Sequence, residues 1–195
     1  MVSAQELQEM KTLLLALLDH PATMAKLVPG YTFPIIIYLM SVYSLELLRI
    51  QQCADIETFN KLFDYLEDRA LQVDKNGIYE CIMAIVTKLF SEFCNSMAGK
   101  PKDKERDRNL EAIAVILLIE FNNPNKTIRK HADTFLSELV SRFPHLLWSK
   151  SVLYGMLNAL HQFSQCYSDD EIQVGAEGID GLPTLEFVGA YRISD

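Results

Sequence analysis

Glycine and proline are scarce, with eight and seven among 195 residues. That is too few for a collagenous or linker-like chain, and few for an all-β fold built on many tight turns. The four cysteines, Cys53, Cys81, Cys94 and Cys166, stand 28, 13 and 72 residues apart. None forms a C-x-x-C pair and no histidine lies at ligand spacing, so no zinc framework is expected. Cys81 and Cys94 read as small buried hydrophobes of a reducing compartment. The first residues, Met1-Val2-Ser3-Ala4-Gln5-Glu6, lack the basic region of a secretory signal. The longest apolar run, residues 31–45, stops at Glu46 and Arg49, short of the roughly 20 residues that cross a bilayer. It reads as a buried helix, and no membrane span is expected. Positive charge is not in excess either: 18 basic against 26 acidic residues leave −8, which argues against nucleic acid as a partner.

Catalytic patterns are equally thin. No G-x-S-x-G elbow or Cys/His nucleophile signature occurs, and His20, His131, His145 and His161 are scattered. The glycines of residues 175–181 have no preceding strand, no lysine and no following helix, and the acids around them repel phosphate. These acids do not follow the oxygen-ligand order of a calcium loop. A small enzyme using His or Cys chemistry is therefore disfavoured, and no catalytic, cofactor-binding or metal residue is assigned.

What the chain has in quantity is helical periodicity. Ser3-x-x-Glu6 is a capping box, followed by Leu7, Met10, Leu14, Leu17 and Leu18 at three- and four-residue spacing until Pro21. After a short segment at 22–28, Pro29-Gly30 breaks the chain. Thr32 can then cap, with Pro34 in the first turn, a strongly apolar helix reaching about Gln52. Asp55 can cap a third long helix ended by Lys75-Asn76-Gly77. Ile78, Cys81, Ile82, Ile85, Val86, Leu89, Phe90 and Phe93 hold one face for over four turns. Residues 99–108 alternate bases with acids and read as a solvated connector. A helix through Leu110, Ile113 and Leu117 follows, stopped by Asn122-Asn123-Pro124. Asn125 satisfies a glycosylation sequon but is read as the cap of the next helix, which Pro144 ends. Ser149 caps a last one with Val152, Leu153, Met156, Leu157, Leu160 and Phe163 inward.

About seven helices on short connections give an all-α fold, a HEAT/armadillo-like helical-hairpin solenoid segment over residues 1–167, with a closed bundle as the other arrangement. Residues 168–195 hold seven acids against Arg192, and four of the eight glycines. This stretch reads as a loose acidic tail, separate from a nearly neutral body. Two features point to partners. Lys126, Arg129 and Lys130 lie on the first turns of a helix, where they oppose its dipole, as if held for an acidic partner. The only tryptophan, Trp148, reads first as a plug, with Leu147, between two helices, and second as an exposed hot spot.

The segments Ile128-Arg129-Lys130-His131-Ala132-Asp133, Leu136-Ser137, Leu139-Val140, Phe143-Pro144-His145-Leu146-Leu147-Trp148-Ser149, Val152-Leu153 and Met156-Leu157 resemble the helical region of the phosphatidylinositol 4-kinase alpha (type III) family. Leu39-Met40-Ser41-Val42-Tyr43-Ser44-Leu45-Glu46 and Tyr191-Arg192-Ile193 are similar to further stretches of it. The resemblance is densest over residues 119–165. It implies a fragment of the non-catalytic α-solenoid that precedes the kinase domain. The parent activity is ATP-dependent phosphorylation of phosphatidylinositol to phosphatidylinositol 4-phosphate. Neither the family's D-R-H-N catalytic loop nor its D-F-G metal motif occurs here, so ATP and Mg belong to the parent's catalytic domain and this chain carries no cofactor. Implied partners are the rest of the kinase chain, a tetratricopeptide-repeat scaffold, hyccin and a palmitoylated membrane anchor. The implied location is cytoplasmic, peripheral at the plasma membrane through that complex. The competing reading is a free-standing helical-repeat adaptor without kinase activity, working as a homodimer through exposed helix faces.

Overall fold

The structure, a computed structural model, describes residues 3–18 and 22–173, with side-chain surroundings for 3–18 and 24–161. Among these residues every regular element is helical. α1 (Ala4–Leu17) opens on the expected capping box: the Glu6 N–H donates to Ser3 Oγ, and the Ser3 N–H donates to the Glu6 carboxylate at 2.7 Å. The expected stop at Pro21, and His20, lie outside the described residues. α2 (Ala22–Leu27) and a 3-10 turn at Val28–Gly30 lead into α3 (Phe33–Gln52). Thr32 occupies the α3 N-cap, but its side chain makes no capping bond; Pro34 provides the start. α4 (Ile56–Glu67) begins on Asp55, whose carboxylate accepts the Thr58 N–H at 2.9 Å.

The single long helix expected between Asp55 and Lys75 is corrected to two. Asp68 leaves helical geometry at ψ 108 and accepts from the Ala70 and Leu71 N–H groups, capping the short α5 (Arg69–Gln72). Its side chain outcompetes the helical carbonyl for those donors. α6 (Ile78–Gly99) starts at Gly77, which sits at φ +77. That left-handed conformation favours glycine, and a Cβ there would also stand 2.8 Å from the Leu27 methyls, which would have to move.

The chain forms two compact units, residues 1–106 and 107–195. In the first, α6 packs against both α3 and α4. The Tyr31 hydroxyl before α3 donates to Gly77 O before α6 at 2.7 Å, and Lys100 after α6 donates to Ala54 O after α3. α3 and α6 therefore run parallel. α4 runs the other way, since Phe59 near its start meets Phe90 and Phe93 late in α6, while Tyr79 early in α6 bonds Leu66 O late in α4. Phe59, Phe90 and Phe93 are fully buried and, with Phe63, make an aromatic cluster at centroid separations of 5.8 to 6.4 Å. α6 fills the core with the stripe read from sequence, including Cys81, Ile82, Ile85, Val86 and Leu89. α3 packs on α1, α4 and α6 yet leaves Ile37, Tyr38, Leu45 and Leu48 exposed. By length and composition alone α3 and α6 could each cross a membrane; α6 is instead a core helix, and α3 carries a fully buried Glu46.

The second unit repeats the pattern. α7 (Lys104–Glu120), which crosses the boundary, starts earlier than expected. Residues 104–108 of the expected connector are helical, the Arg106 N–H donates to Asp103 Oδ1, and Arg106 is buried rather than solvated. α8 (Lys126–Arg142) follows the Asn125 cap, whose carbonyl oxygen accepts the Thr127 N–H at 2.9 Å. A 3-10 turn at Pro144–Trp148 leads into α9 (Lys150–Gln173). Ser151 bonds Glu111, and Gly155 lies against Val115 and Leu118, so α9 runs parallel to α7. His145, after α8, stands 3.6 Å from Asp107 at the start of the unit, so α8 is antiparallel to α7. Alternate helices that pack in parallel around one running back are the packing of helical-hairpin repeats. The all-α, solenoid-like expectation holds. The expected division at 167/168 falls inside α9, and residues 174–195 of the expected tail lie outside the described residues.

Candidate protein-interaction surface

The basic trio is brought together on the first turns of α8, but its members differ in role. Arg129 bends back across the helix start and its guanidinium donates to Asn123 O at 2.8 Å and Pro124 O at 2.9 Å. It thereby closes the turn between α7 and α8, supplying the compensation its place against the helix dipole requires. The same turn is tied by the Asn123 amide to the Glu120 carboxylate at 2.7 Å and by the Asn125 N–H to Asn123 Oδ1. Burial pushes the Glu120 carboxyl above its ordinary value, while the Asn123 bond pulls it down. Lys126 and Lys130 remain exposed to solvent. Next to them His131 is half-buried against Phe135, and burial, then the neighbouring Lys130 charge, push its pKa down.

Trp148 lies at the far end of α8, about 25 Å away along a 17-residue helix. The structure does not join it to the basic trio. Nor does it plug the hairpin: Leu146 is the buried residue of the 3-10 turn, Trp148 is 84% exposed and Leu147 is exposed. The tight 3-10 turn sends residues two apart to different sides, so only one of the three large side chains can face inward. Ser149 stands at the α9 N-cap position, but its buried hydroxyl finds no partner.

The α9 face is also corrected. Val152 is buried, whereas Leu153, Tyr154, Leu157 and Leu160, three of them expected inward, are exposed; Phe163 lies outside the described side chains. The buried turn of α9 is the one that carries Val152 and Gly155, with Gly155 facing Val115 and Leu118 of α7. Helical spacing alone cannot choose between two apolar faces of one helix. Sequence reading missed this outward stripe, and its only signal was an apolar arc, Val152, Leu153, Met156, Leu157 and Leu160, wider than one buried face.

Elsewhere the chemistry is that of a packed core. Glu46 is fully buried; its Oε1 accepts from Arg49 at 2.6 Å and from the Tyr65 hydroxyl at 2.9 Å, and its Oε2 is unpartnered. Cys81 is buried beside Met24 and Tyr31, with its thiol pushed up by burial; Cys53 is exposed and Cys94 buried. Among the described residues no three of His, Cys, Asp and Glu converge as a metal site.

Within each unit alternate helices pack in parallel around one running back, which defines an all-α, solenoid-like helical segment. Among the described residues no three His, Cys, Asp or Glu side chains cluster. Residues 1–175 match the PI4-kinase N-terminal region. The chain belongs to that family.

Proposed function

We propose that this chain is a non-catalytic scaffold and protein-interaction segment of a phosphatidylinositol 4-kinase. The single observation that supports this reading most is the family match across residues 1–175, nearly all of the hairpin-packed body. The absence of D-R-H-N and D-F-G strings from the sequence agrees with it. In this reading the transfer of phosphate from ATP to the inositol 4-hydroxyl takes place on a kinase domain elsewhere, where ATP and Mg bind. The helices here contribute rigid hairpins and exposed faces for the rest of the kinase chain and for its tetratricopeptide-repeat scaffold, hyccin and palmitoylated anchor. The segment then works in the cytoplasm and reaches the plasma membrane only through that complex.

The test is immunoprecipitation from source cells with an antibody raised against residues 119–165. The expected result is a polypeptide far above 22.2 kDa that phosphorylates phosphatidylinositol vesicles with ATP, together with the named companions. Capture of a 22.2 kDa species without lipid kinase activity overturns this reading in favour of a free-standing adaptor.

A further inference from the structure

α3 keeps one arc of its surface out of the first unit. Ile37, Ser41, Leu45 and Leu48 recur on it at i, i+4, i+8 and i+11, with Tyr38 beside them, and all five are exposed. The helix holds only two charged residues. Glu46 is fully buried, so Arg49, 44% exposed at the margin of the arc, is the one charge that α3 shows to solvent. Arg49 is held in place: its Nη1 donates to Glu46 Oε1 at 2.6 Å, and the Tyr65 hydroxyl of α4 donates to the same oxygen at 2.9 Å. Stability does not call for this arrangement. Glu46 Oε2 is buried without a partner, and apolar side chains often replace buried charge pairs at no loss. What the network achieves is to fix a guanidinium at the surface beside an apolar stripe, with N–H groups to spare.

We propose that this arc of α3 is a docking surface for an amphipathic helix of a partner protein, which lays its apolar stripe along Ile37, Leu45 and Leu48 and sets a carboxylate on Arg49. Charge and spacing choose the occupant. A guanidinium fork pairs a planar carboxylate through two bonds, and the arc carries no acid to repel one. Anchors at helical spacing over about 16 Å suit a helix laid alongside rather than an extended strand. An arginine already ordered by Glu46 and Tyr65 loses little freedom on binding. The proposal stands on α3 and α4 alone and does not depend on the lipid-kinase reading.

The probe is a phage-displayed library of helical peptides, panned against the 195-residue chain. The selected sequences are expected to carry apolar residues at three- and four-residue spacing together with an Asp or Glu. For the tightest of them, Arg49→Gln should raise Kd about tenfold, but less than about twofold once the peptide's acid is changed to its amide. Loss of packing alone does not give that coupling. Tyr65→Phe, which loosens Arg49 without altering the arc, should raise Kd about threefold for the acidic peptide and leave the amide form unchanged. The double variant Leu45→Glu, Leu48→Glu should abolish binding of both peptides while keeping its helical circular dichroism spectrum, and Leu157→Glu on α9 should keep both. A library that yields no binder overturns the proposal, as do binders that lack an acid or survive the double α3 variant. Attachment to phosphatidylcholine vesicles, or dimerisation in sedimentation equilibrium, that the double variant removes would overturn it too, giving the arc to lipid or to a second copy.

Discussion

Tyr65 and Glu46 hold α4 to α3 through a hydroxyl that donates to a fully buried carboxylate. Burial first, and the bond to Glu46 second, push the Tyr65 pKa from 10.0 up to about 12. Ionisation charges this group, so the unfolded chain releases the proton near its ordinary value while the folded chain keeps it. The stability from Tyr65 is therefore whole below pH 10 and drains away as pH climbs toward 12. Tyr31 and Tyr79 shift in the same direction, both chiefly through burial, and add to the loss. Urea midpoints at about pH 9 and 11 should fall for the native sequence and fall less for Tyr65→Phe; equal falls would remove Tyr65 from the account. At neutral pH Tyr65→Phe should cost about 1–3 kcal/mol, because Glu46 keeps only Arg49. The sequence showed Glu46 only as a charge interrupting an apolar run. Its partner lies 19 residues away on another helix, a distance that periodicity does not read.

Helix starts show how far local sequence reaches. Asp55 and Asn125 cap α4 and α8 as their side-chain chemistry implies, each accepting one of the first free N–H groups. Thr32 and Ser149 belong to the same residue class but do not cap through their side chains. Asp55→Ala and Asn125→Ala are accordingly expected to cost about 1 kcal/mol each in thermal or urea unfolding. Thr32→Ala should stay within about 0.5 kcal/mol, and Ser149→Ala should be neutral or slightly stabilising because it removes an unpaired buried hydroxyl. A loss near 1 kcal/mol in Ser149→Ala would show that the hydroxyl does cap α9 in solution. The trio at α8 makes the same point: Lys126, Arg129 and Lys130 look alike in sequence, yet only Arg129 is within reach of the carbonyls of the preceding turn. Asp68 splits a stretch that apolar spacing reads as one helix, because a side-chain acceptor close to free N–H groups is a local competitor that periodicity ignores.

At the scale of the molecule, burial concentrates on α6, which packs on α3 and α4 and carries ten buried residues. Its amides should exchange with deuterium last, in the opening that unfolds its unit, whereas the four-residue α5, with no buried side chain, should exchange early. Mass-resolved hydrogen exchange checks this, and equal rates in the two helices would contradict it. The sequence by itself determined that the chain is helical, where most helices begin and end, the buried stripe of α6, and the want of any catalytic string. Those features rest on spacing, capping and composition, which act within a few residues. Only the tertiary structure decided that alternate helices pack in parallel within each unit, that Leu146 rather than Trp148 fills the 3-10 turn, and that α9 turns Leu153, Leu157 and Leu160 outward. A helix apolar on two sides can satisfy its own hydrogen bonds in either rotation. The side that is buried is chosen by what it meets, here the Val152 and Gly155 side of α9 against Val115 and Leu118 of α7.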